Sequence, residues 1–176
     1  SKELSEYLFA KDRGKKFNQS NFDEVLKYNI DRVVKKQIDV GIDFVSDGEM
    51  SKISYATYIK DRIDGFSGES ERRAPADLDD FPEYKEKIAK SGGTPTYTRP
   101  CCTNELKLKD EKSLLNDINN FNTTLKKYNH HNAFLNAASP GVINVFMPNK
   151  FYKSEQEYLD KLSSIMAKEY EAITKS

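Results

Sequence analysis

The chain has 176 residues, 32% of them charged, and its 28 basic side chains balance 28 acidic ones. This length suffices for one domain with a hydrophobic core. The neutral balance gives no electrostatic reason to expect nucleic acid or a membrane surface as a partner, and no apolar run is long enough to cross a bilayer. No signal-peptide pattern is visible and the two cysteines are adjacent, which together favour a cytoplasmic location.

The first part of the chain predicts a helix, a strand and an acidic turn. Apolar residues at three- and four-residue spacing follow a capping pattern at residues 20–23 and continue to Ile38, and Gly41 is placed to end this helix. Residues 42–46 then predict a buried strand that runs into the turn Asp47-Gly48-Glu49. A shorter helix is predicted over residues 53–63.

The second part begins with a loop-rich excursion at about residues 65–100, rich in glycine and proline, with one helix predicted over 82–90. Residues 101–109 predict a strand, 113–137 a helix broken near Asn129, and 142–147 another strand. Ser154 and Glu157 form a capping box that opens the final helix. Strands separated by helices predict an α/β protein with a parallel sheet, in a single domain over residues 1–176.

Asp47 and Glu49 are the first candidate site residues, because barrel enzymes carry their substrate-binding groups at the carboxyl ends of strands. A carboxylate held there pairs well with an ammonium group in a partly desolvated pocket. The alternative is that both residues only cap the next helix, where negative charge is favourable. Arg99, on a loop before the 101–109 strand, is a third candidate because guanidinium groups bind carboxylates bidentately. The alternative for Arg99 is a solvated surface position.

The other metal-binding residue types do not form a ligand pattern. Cys101 and Cys102 lack a CxxC spacing and are interpreted as buried free thiols. His130 and His131 would point about 100° apart on a helix, so they would not chelate one ion.

Four segments of the chain carry a resemblance to a known family. In chain order they are 33–37 (Val-Val-Lys-Lys-Gln), 41–49 (Gly-Ile-Asp-Phe-Val-Ser-Asp-Gly-Glu), 138–141 (Ala-Ser-Pro-Gly) and 151–173. Together they resemble the cobalamin-independent methionine synthase family. The likeness is to its catalytic barrel, as found in the short methionine synthase II-like members. It implies a partial (β/α)8 TIM barrel, about the first half, beginning after strand 1. On this view the chain is a fragment or one piece of a longer polypeptide.

The resemblance also implies an activity, that of a 5-methyltetrahydropteroyltriglutamate–homocysteine S-methyltransferase in methionine biosynthesis. A methyl group would pass from a reduced folate or another donor to the zinc-activated thiol of homocysteine. Glu49 would bind the amino group of homocysteine, Arg99 would face the folate, and Phe146 or Met147 would lie nearest the pterin. The family's zinc ligands are expected after Ser176, so the resemblance places no metal ligand in this chain.

Two alternatives remain open at the level of sequence. One is a related zinc-dependent thiol alkyltransferase of the coenzyme M type, whose sulfonate substrate has no amine and would leave Glu49 without a role. The other is a non-catalytic, truncated barrel half that acts as a binding or assembly unit. Such a half would expose strand edges and apolar surface, which predicts self-association or a covering barrel half.

Overall fold

The computed structural model describes residues 1–70, 76–90, 97–109 and 111–176. Within them the α-helices are α1 Lys2–Asp12, α2 Gln19–Asp39, α3 Pro82–Lys90, α4 Lys112–Lys127, α5 Pro140–Phe146 and α6 Glu155–Thr174. The strands are β1 Ile63–Ser67 and β2 Cys101–Leu108, and 3₁₀ turns cover Thr57–Asp61 and Ala76–Asp80. None of the helices in these ranges combines the length and the apolar character that a membrane span needs.

The predicted parallel sheet is wrong for the described ranges, where β1 and β2 instead form a two-stranded antiparallel sheet. Their register shifts between Asp64 and Phe66. Gly65 lies at the shift with φ +108, and a Cβ there would approach the carbonyl oxygen of Asn104 to 2.9 Å. In the described part of the chain, parallel pairing is confined to two isolated bridges, Val45 with Ala133 and Cys102 with Asn149. The fold is therefore mixed α/β, as predicted, but these ranges do not form a partial barrel.

Several predicted elements are confirmed by the structure. Helix α3 has the predicted bounds, and β2 ends one residue earlier than predicted. Gly41 follows α2 with φ +79, as a glycine that ends a helix should. Ser154 caps α6 by accepting from Glu157 N at 3.1 Å, while the Glu157 carboxylate accepts from Lys153 N. The start of α2 differs, because Asn18 is its cap and not the predicted group at 20–23.

Three predicted elements are wrong, and a fourth, the helix 113–137, is right only in its first part. Residues 42–46 contribute one bridge at Val45, not a buried strand. The predicted helix 53–63 is a 3₁₀ turn followed by β1. Helix α4 ends at Lys127 and Asn129 adopts φ +49, so the predicted break near Asn129 is confirmed, but residues 130–137 do not resume the helix. The predicted strand 142–147 is helix α5 and its end, because the Ser139 hydroxyl caps it and a proline occupies its first position.

Among the residues that the structure describes, two apolar clusters form the core. One joins α1, α2, Val45 and Phe121 of α4. The other joins β1, β2, α5 and α6, with Tyr58 and Tyr158 among its largest members. The excursion at 65–100 supplies most of β1 and all of α3, while its residues 71–75 and 91–96 lie outside the described ranges. The acidic turn at 47–49 follows the Val45 bridge, so the first cluster positions it.

Candidate functional site

The acidic turn is held by the last part of helix α2. Gln37 Nε2 donates to the carbonyl oxygen of Ser46 at 2.8 Å, and Ser46 N donates back to Gln37 Oε1 at 3.0 Å. Gly48 follows with φ +66, and a Cβ there would lie 3.1 Å from Val33 Cγ1 of α2. Both the conformation and the close approach therefore favour glycine at the centre of the turn.

Asp47 points into the protein and organises the turn. It is 1% exposed, and its Oδ1 accepts a hydrogen bond from Glu49 N at 2.9 Å. A side chain that accepts from the backbone two residues on is typical of Asx turns. In this conformation Asp47 shapes the backbone that carries Glu49.

Glu49 is accessible from solvent and has one ionic contact with the residues that the structure describes. Its backbone is left-handed, with φ +53, and its side chain is 30% exposed. Glu49 Oε1 lies 3.6 Å from Nζ of Lys52, whose own side chain is only 5% exposed. The Lys52 ammonium also donates to the carbonyl oxygen of Asn136 at 2.5 Å and lies 4.6 Å from the ring centre of Tyr58.

A buried ionic group lies next to Lys52. Arg62 contacts Asp117 at 2.5 Å and Glu169 at 2.8 Å, and it stacks over the Tyr58 ring at 4.8 Å. The Tyr58 hydroxyl donates to Glu169 at 2.6 Å and accepts from Ala138 N. Burial raises the pKa of Asp117, against the lowering effect of Arg62. Burial and the Glu169 charge raise the pKa of Tyr58.

A cavity of about 400 Å³ adjoins this group, between α1, α2, α4 and the segment 51–62. Its volume lies within the usual range of small-molecule sites. Lys52 lines the cavity and also contacts Glu49. The lining is mixed, with amide, hydroxyl and charged side chains beside Phe22 and Leu26.

Arg99 lies on an aromatic surface formed by Phe146 and Tyr55. Its guanidinium carbon is 4.5 Å from the ring centre of Phe146, and Tyr55 meets the same ring edge-on, with ring centres 5.2 Å apart. Arg99 Nε is buried and makes no hydrogen bond with any described residue. Met147 is fully buried in the core, so of the two residues predicted near a pterin, Phe146 is the one beside Arg99.

The described residues do not fit a zinc site. No three of their His, Cys, Asp and Glu side chains lie close enough together to hold a metal ion. Cys101 and Cys102 are buried free thiols, as predicted, and burial raises the pKa of Cys102 to about 11. The two histidines follow α4 and are not in a helix. His130 Nε2 lies within 3.2 Å of the carbonyl oxygens of Asp43 and Asn132.

Sequence reasoning missed three residues of this region, namely Lys52, Tyr58 and Arg62. The three-residue spacing of Glu49 and Lys52 is a signal for contact only within a helix, and residues 48–51 form a turn. The contact of Lys52 with Asn136 spans 84 positions and carries no local signal. The same holds for the contacts of Arg62 with α4 and α6.

No family model matches the chain, and no curated protein matches it. A solved structure that resembles it is a B12-independent methionine synthase from Shewanella sp. W3-18-1 in complex with selenomethionine. The TM-score is 0.62 and the sequence identity 17%, over 90% of this chain and 42% of that chain. The chain thus spans less than half the length of this solved structure. At this identity the likeness is one of fold.

Proposed function

We propose that the chain provides the amino-acid-binding part of a methyltransferase of the cobalamin-independent methionine synthase type. The observation that carries the proposal is Glu49, a partly exposed carboxylate held on a left-handed turn beside a buried lysine. Such a carboxylate suits the ammonium group of an amino acid. The likeness in fold adds support, since the solved methionine synthase holds selenomethionine, which also carries an ammonium group.

The surface formed by Arg99, Phe146 and Tyr55 suits the methyl donor. The exposed ring of Tyr55 and the half-buried ring of Phe146 offer stacking area for a planar heterocycle. The Arg99 guanidinium offers a fork of donors for a carboxylate. A reduced folate carries both groups, a pterin ring and glutamate carboxylates, which makes it the donor class that we propose.

In the proposed reaction the sulfur of homocysteine attacks the methyl group on N5 of the folate. The thiol of homocysteine gives up its proton, the new S–C bond forms as the methyl C–N bond breaks, and N5 keeps the electron pair and takes up a proton, so that protons balance. Glu49 would orient the amino acid, and Arg99 would orient the donor, so their contribution is positioning. Zinc, which the family uses for the thiol, is assigned to no residue, because the described residues do not fit a zinc site.

One observation favours a second candidate, a non-catalytic binding or assembly unit. Phe44 is 61% exposed and Phe134 is 48% exposed, on the two segments joined by the Val45–Ala133 bridge. Each of these exposed rings directly adjoins a residue of the bridge in the chain. An apolar surface of this kind is typical of a region that another polypeptide covers. This candidate predicts no selective binding of thiol amino acids.

Calorimetric titration of homocysteine into the chain and into its Glu49→Gln variant tests the proposal. We expect Glu49→Gln to weaken binding by about 10- to 100-fold, the size of a lost charge-assisted hydrogen bond of about 1.5–3 kcal/mol. Glu24→Gln, an exposed position on α2, is the control and should leave binding unchanged. Equal binding of homocysteine and its amine-free analogue 4-mercaptobutanoate would contradict the proposal.

A further inference from the structure

The carboxylates that line the cavity between α1, α2 and α4 already have partners. The cavity measures about 400 Å³, near the lower end of the range of small-molecule sites. Asp61 contacts Lys11 at 2.9 Å, and Asp117 contacts Arg62 at 2.5 Å. Asp23 accepts a hydrogen bond at 2.8 Å from the amide side chain that begins α2. An amine or a metal ion in the cavity would therefore compete with an existing partner.

The positive charges of the lining are no better placed for an anion. Lys27 and Lys112 lie at the exposed rim, where water and salt screen their charge. The deeper cations, Lys52 and Arg62, share their surroundings with acidic side chains outside the lining. These acidic side chains are Asp47, Glu49 and Glu169. The inner surroundings are therefore net negative, which disfavours an anion, while a cation would meet the lysine and the arginine first.

Three uncharged polar side chains of the lining have no partner among the described residues. Ser51 Oγ is buried next to the Asp117 carboxylate, yet it makes no hydrogen bond. A buried hydroxyl without a partner is unfavourable, so a ligand that bonds it would be stabilised there. Asn116 and Asn120 lie one turn apart on α4, and both line the cavity. Their side-chain amides make no hydrogen bond with any residue that the structure describes.

The aromatic rings of the described lining are already packed. The Tyr58 ring is 4% exposed, with Lys52 Nζ 4.6 Å and the Arg62 guanidinium carbon 4.8 Å from its centre. Phe22 is 5% exposed and meets two neighbouring rings edge-on. A nucleoside or another planar heterocycle, which gains most from an open ring to stack on, is therefore not the expected occupant.

We propose that this cavity binds a small uncharged polyol of about monosaccharide size. A side-chain amide presents a donor and an acceptor side by side, and each hydroxyl of a polyol is itself both donor and acceptor. Adjacent hydroxyls suit the amides of Asn116 and Asn120, and a further hydroxyl suits Ser51. This site goes beyond the proposed function, because Glu49 and Arg99 do not line the cavity.

Calorimetric titration of the chain with three neutral polyols, one at a time, tests the proposal. The polyols are D-glucose, D-ribose and myo-inositol. We expect at least one of them to bind, with a Kd in the millimolar range that suits a ligand of so few atoms. D-glucosamine, a cation, and D-glucuronate, an anion, keep the glucose ring. Each should bind at least about tenfold more weakly than that polyol, because its charge is not compensated in the cavity.

A pair of variants on α4 locates the binding. Asn120→Leu should weaken the binding of that polyol by about tenfold, because it removes one amide of the cavity. The matched control is Asn119→Leu, the same substitution at the adjacent exposed position, which does not line the cavity. It should leave binding unchanged. Should circular dichroism show that Asn120→Leu does not fold, Asn116→Leu, at an exposed position, takes its place with the same expected loss.

Three results would overturn the proposal. The first is that none of the three polyols binds, which would mean that the cavity holds water only. The second is that a polyol binds equally to the variant of the lining and to the control, which would place it elsewhere on the protein. The third is that D-glucosamine or D-glucuronate binds more tightly than the neutral polyols, which would mean that the cavity selects a charged ligand.

Discussion

Glu49 combines a charged side chain with a backbone conformation that side chains disfavour. Its φ of +53 lies in the left-handed region, next to Gly48 at +66. For a residue with a Cβ this conformation costs roughly 1–2 kcal/mol. Strain of this kind is common at sites where a side chain must be presented in a fixed direction. The turn thus loses stability in order to place a carboxylate where solvent reaches it.

Glu49→Gly should therefore raise the free energy of unfolding. Relief of roughly 1–2 kcal/mol of strain, less the roughly 0.5–1 kcal/mol of added freedom in the unfolded glycine, predicts a net gain of about 0.5 kcal/mol. Urea denaturation measures this difference. The control is Glu24→Gly within α2, which should lose about 1 kcal/mol. A Glu49→Gly variant less stable than the wild type would show that the side chain stabilises the fold.

Helices α2 and α4 are joined at their surface by Asp31. This carboxylate accepts from Lys127 Nζ at 2.6 Å and from the Tyr128 hydroxyl at 3.0 Å. The hydrogen bond from Lys127 lowers the pKa of Asp31 below its ordinary value of 3.8, against the opposing effect of burial. A carboxyl group with a lowered pKa stabilises the fold above its unfolded pKa. That stability is lost as the pH falls through the folded value.

Asp31→Asn should accordingly lower the free energy of unfolding by about 0.5 kcal/mol at pH 7, the size usual for an exposed ion pair. The difference from wild type should shrink as the pH falls below 3.8. Denaturant titrations at pH 7, 5 and 3 measure this difference in the free energy of unfolding. The control is Asp77→Asn, at an exposed position. A difference that stays constant down to pH 3 would mean that the Asp31 charge has no part in joining the two helices.

Local signals predicted some of these elements well. The capping box at Ser154 and the glycine at position 41 act through neighbouring backbone groups, so the sequence carries their whole effect. The apolar run from Val142 to Met147 was ambiguous, because a short buried strand and a short buried helix have the same composition. The segment is a helix because Ser139 caps its N-terminus and the proline after it occupies the first helical position. Parallel pairing was overestimated because strand pairing depends on distant segments.

In the candidate site, too, some residues could be predicted from local sequence and others could not. The turn at Asp47 and Glu49 was visible in the sequence because its glycine and its acidic residues are adjacent. The contact between Arg99 and Phe146 joins residues 47 positions apart, and periodicity contains no information on it. Lys52 and Arg62 were missed for the related reason that buried charges look like surface charges in a sequence.

At the scale of the whole molecule, buried ions join the two apolar clusters. Arg62 precedes β1, in the second cluster, and reaches Asp117 of α4 and Glu169 of α6. Asp12 lies at the end of α1, which belongs to the first cluster. It contacts Lys60, which lies just before Arg62 in the segment 51–62, and it accepts a hydrogen bond from Thr98 N at 2.9 Å. Charged groups therefore contribute contacts across the junction between the clusters.

Arg62→Met should lower the free energy of unfolding by about 3–5 kcal/mol, because it leaves Asp117 and Glu169 buried without their counter-ion. Chemical denaturation measures the loss. Adding Asp117→Asn and Glu169→Gln should recover part of it, since the uncompensated charges are then removed. Arg32→Met is the control, because Arg32 is exposed and stacks on the exposed Tyr28. A small effect of Arg62→Met, similar to that of the control, would contradict this role of Arg62.

The buried cysteines have a consequence for redox chemistry. Thiol–disulfide exchange requires an accessible thiolate, and Cys102 is buried with its pKa raised to about 11. Cys101 beside it is buried as well. A thiol ligand, and the disulfide that forms when it is oxidised, would therefore meet the folded chain without forming a mixed disulfide with it. The fold keeps its own sulfur apart from the sulfur of such a ligand.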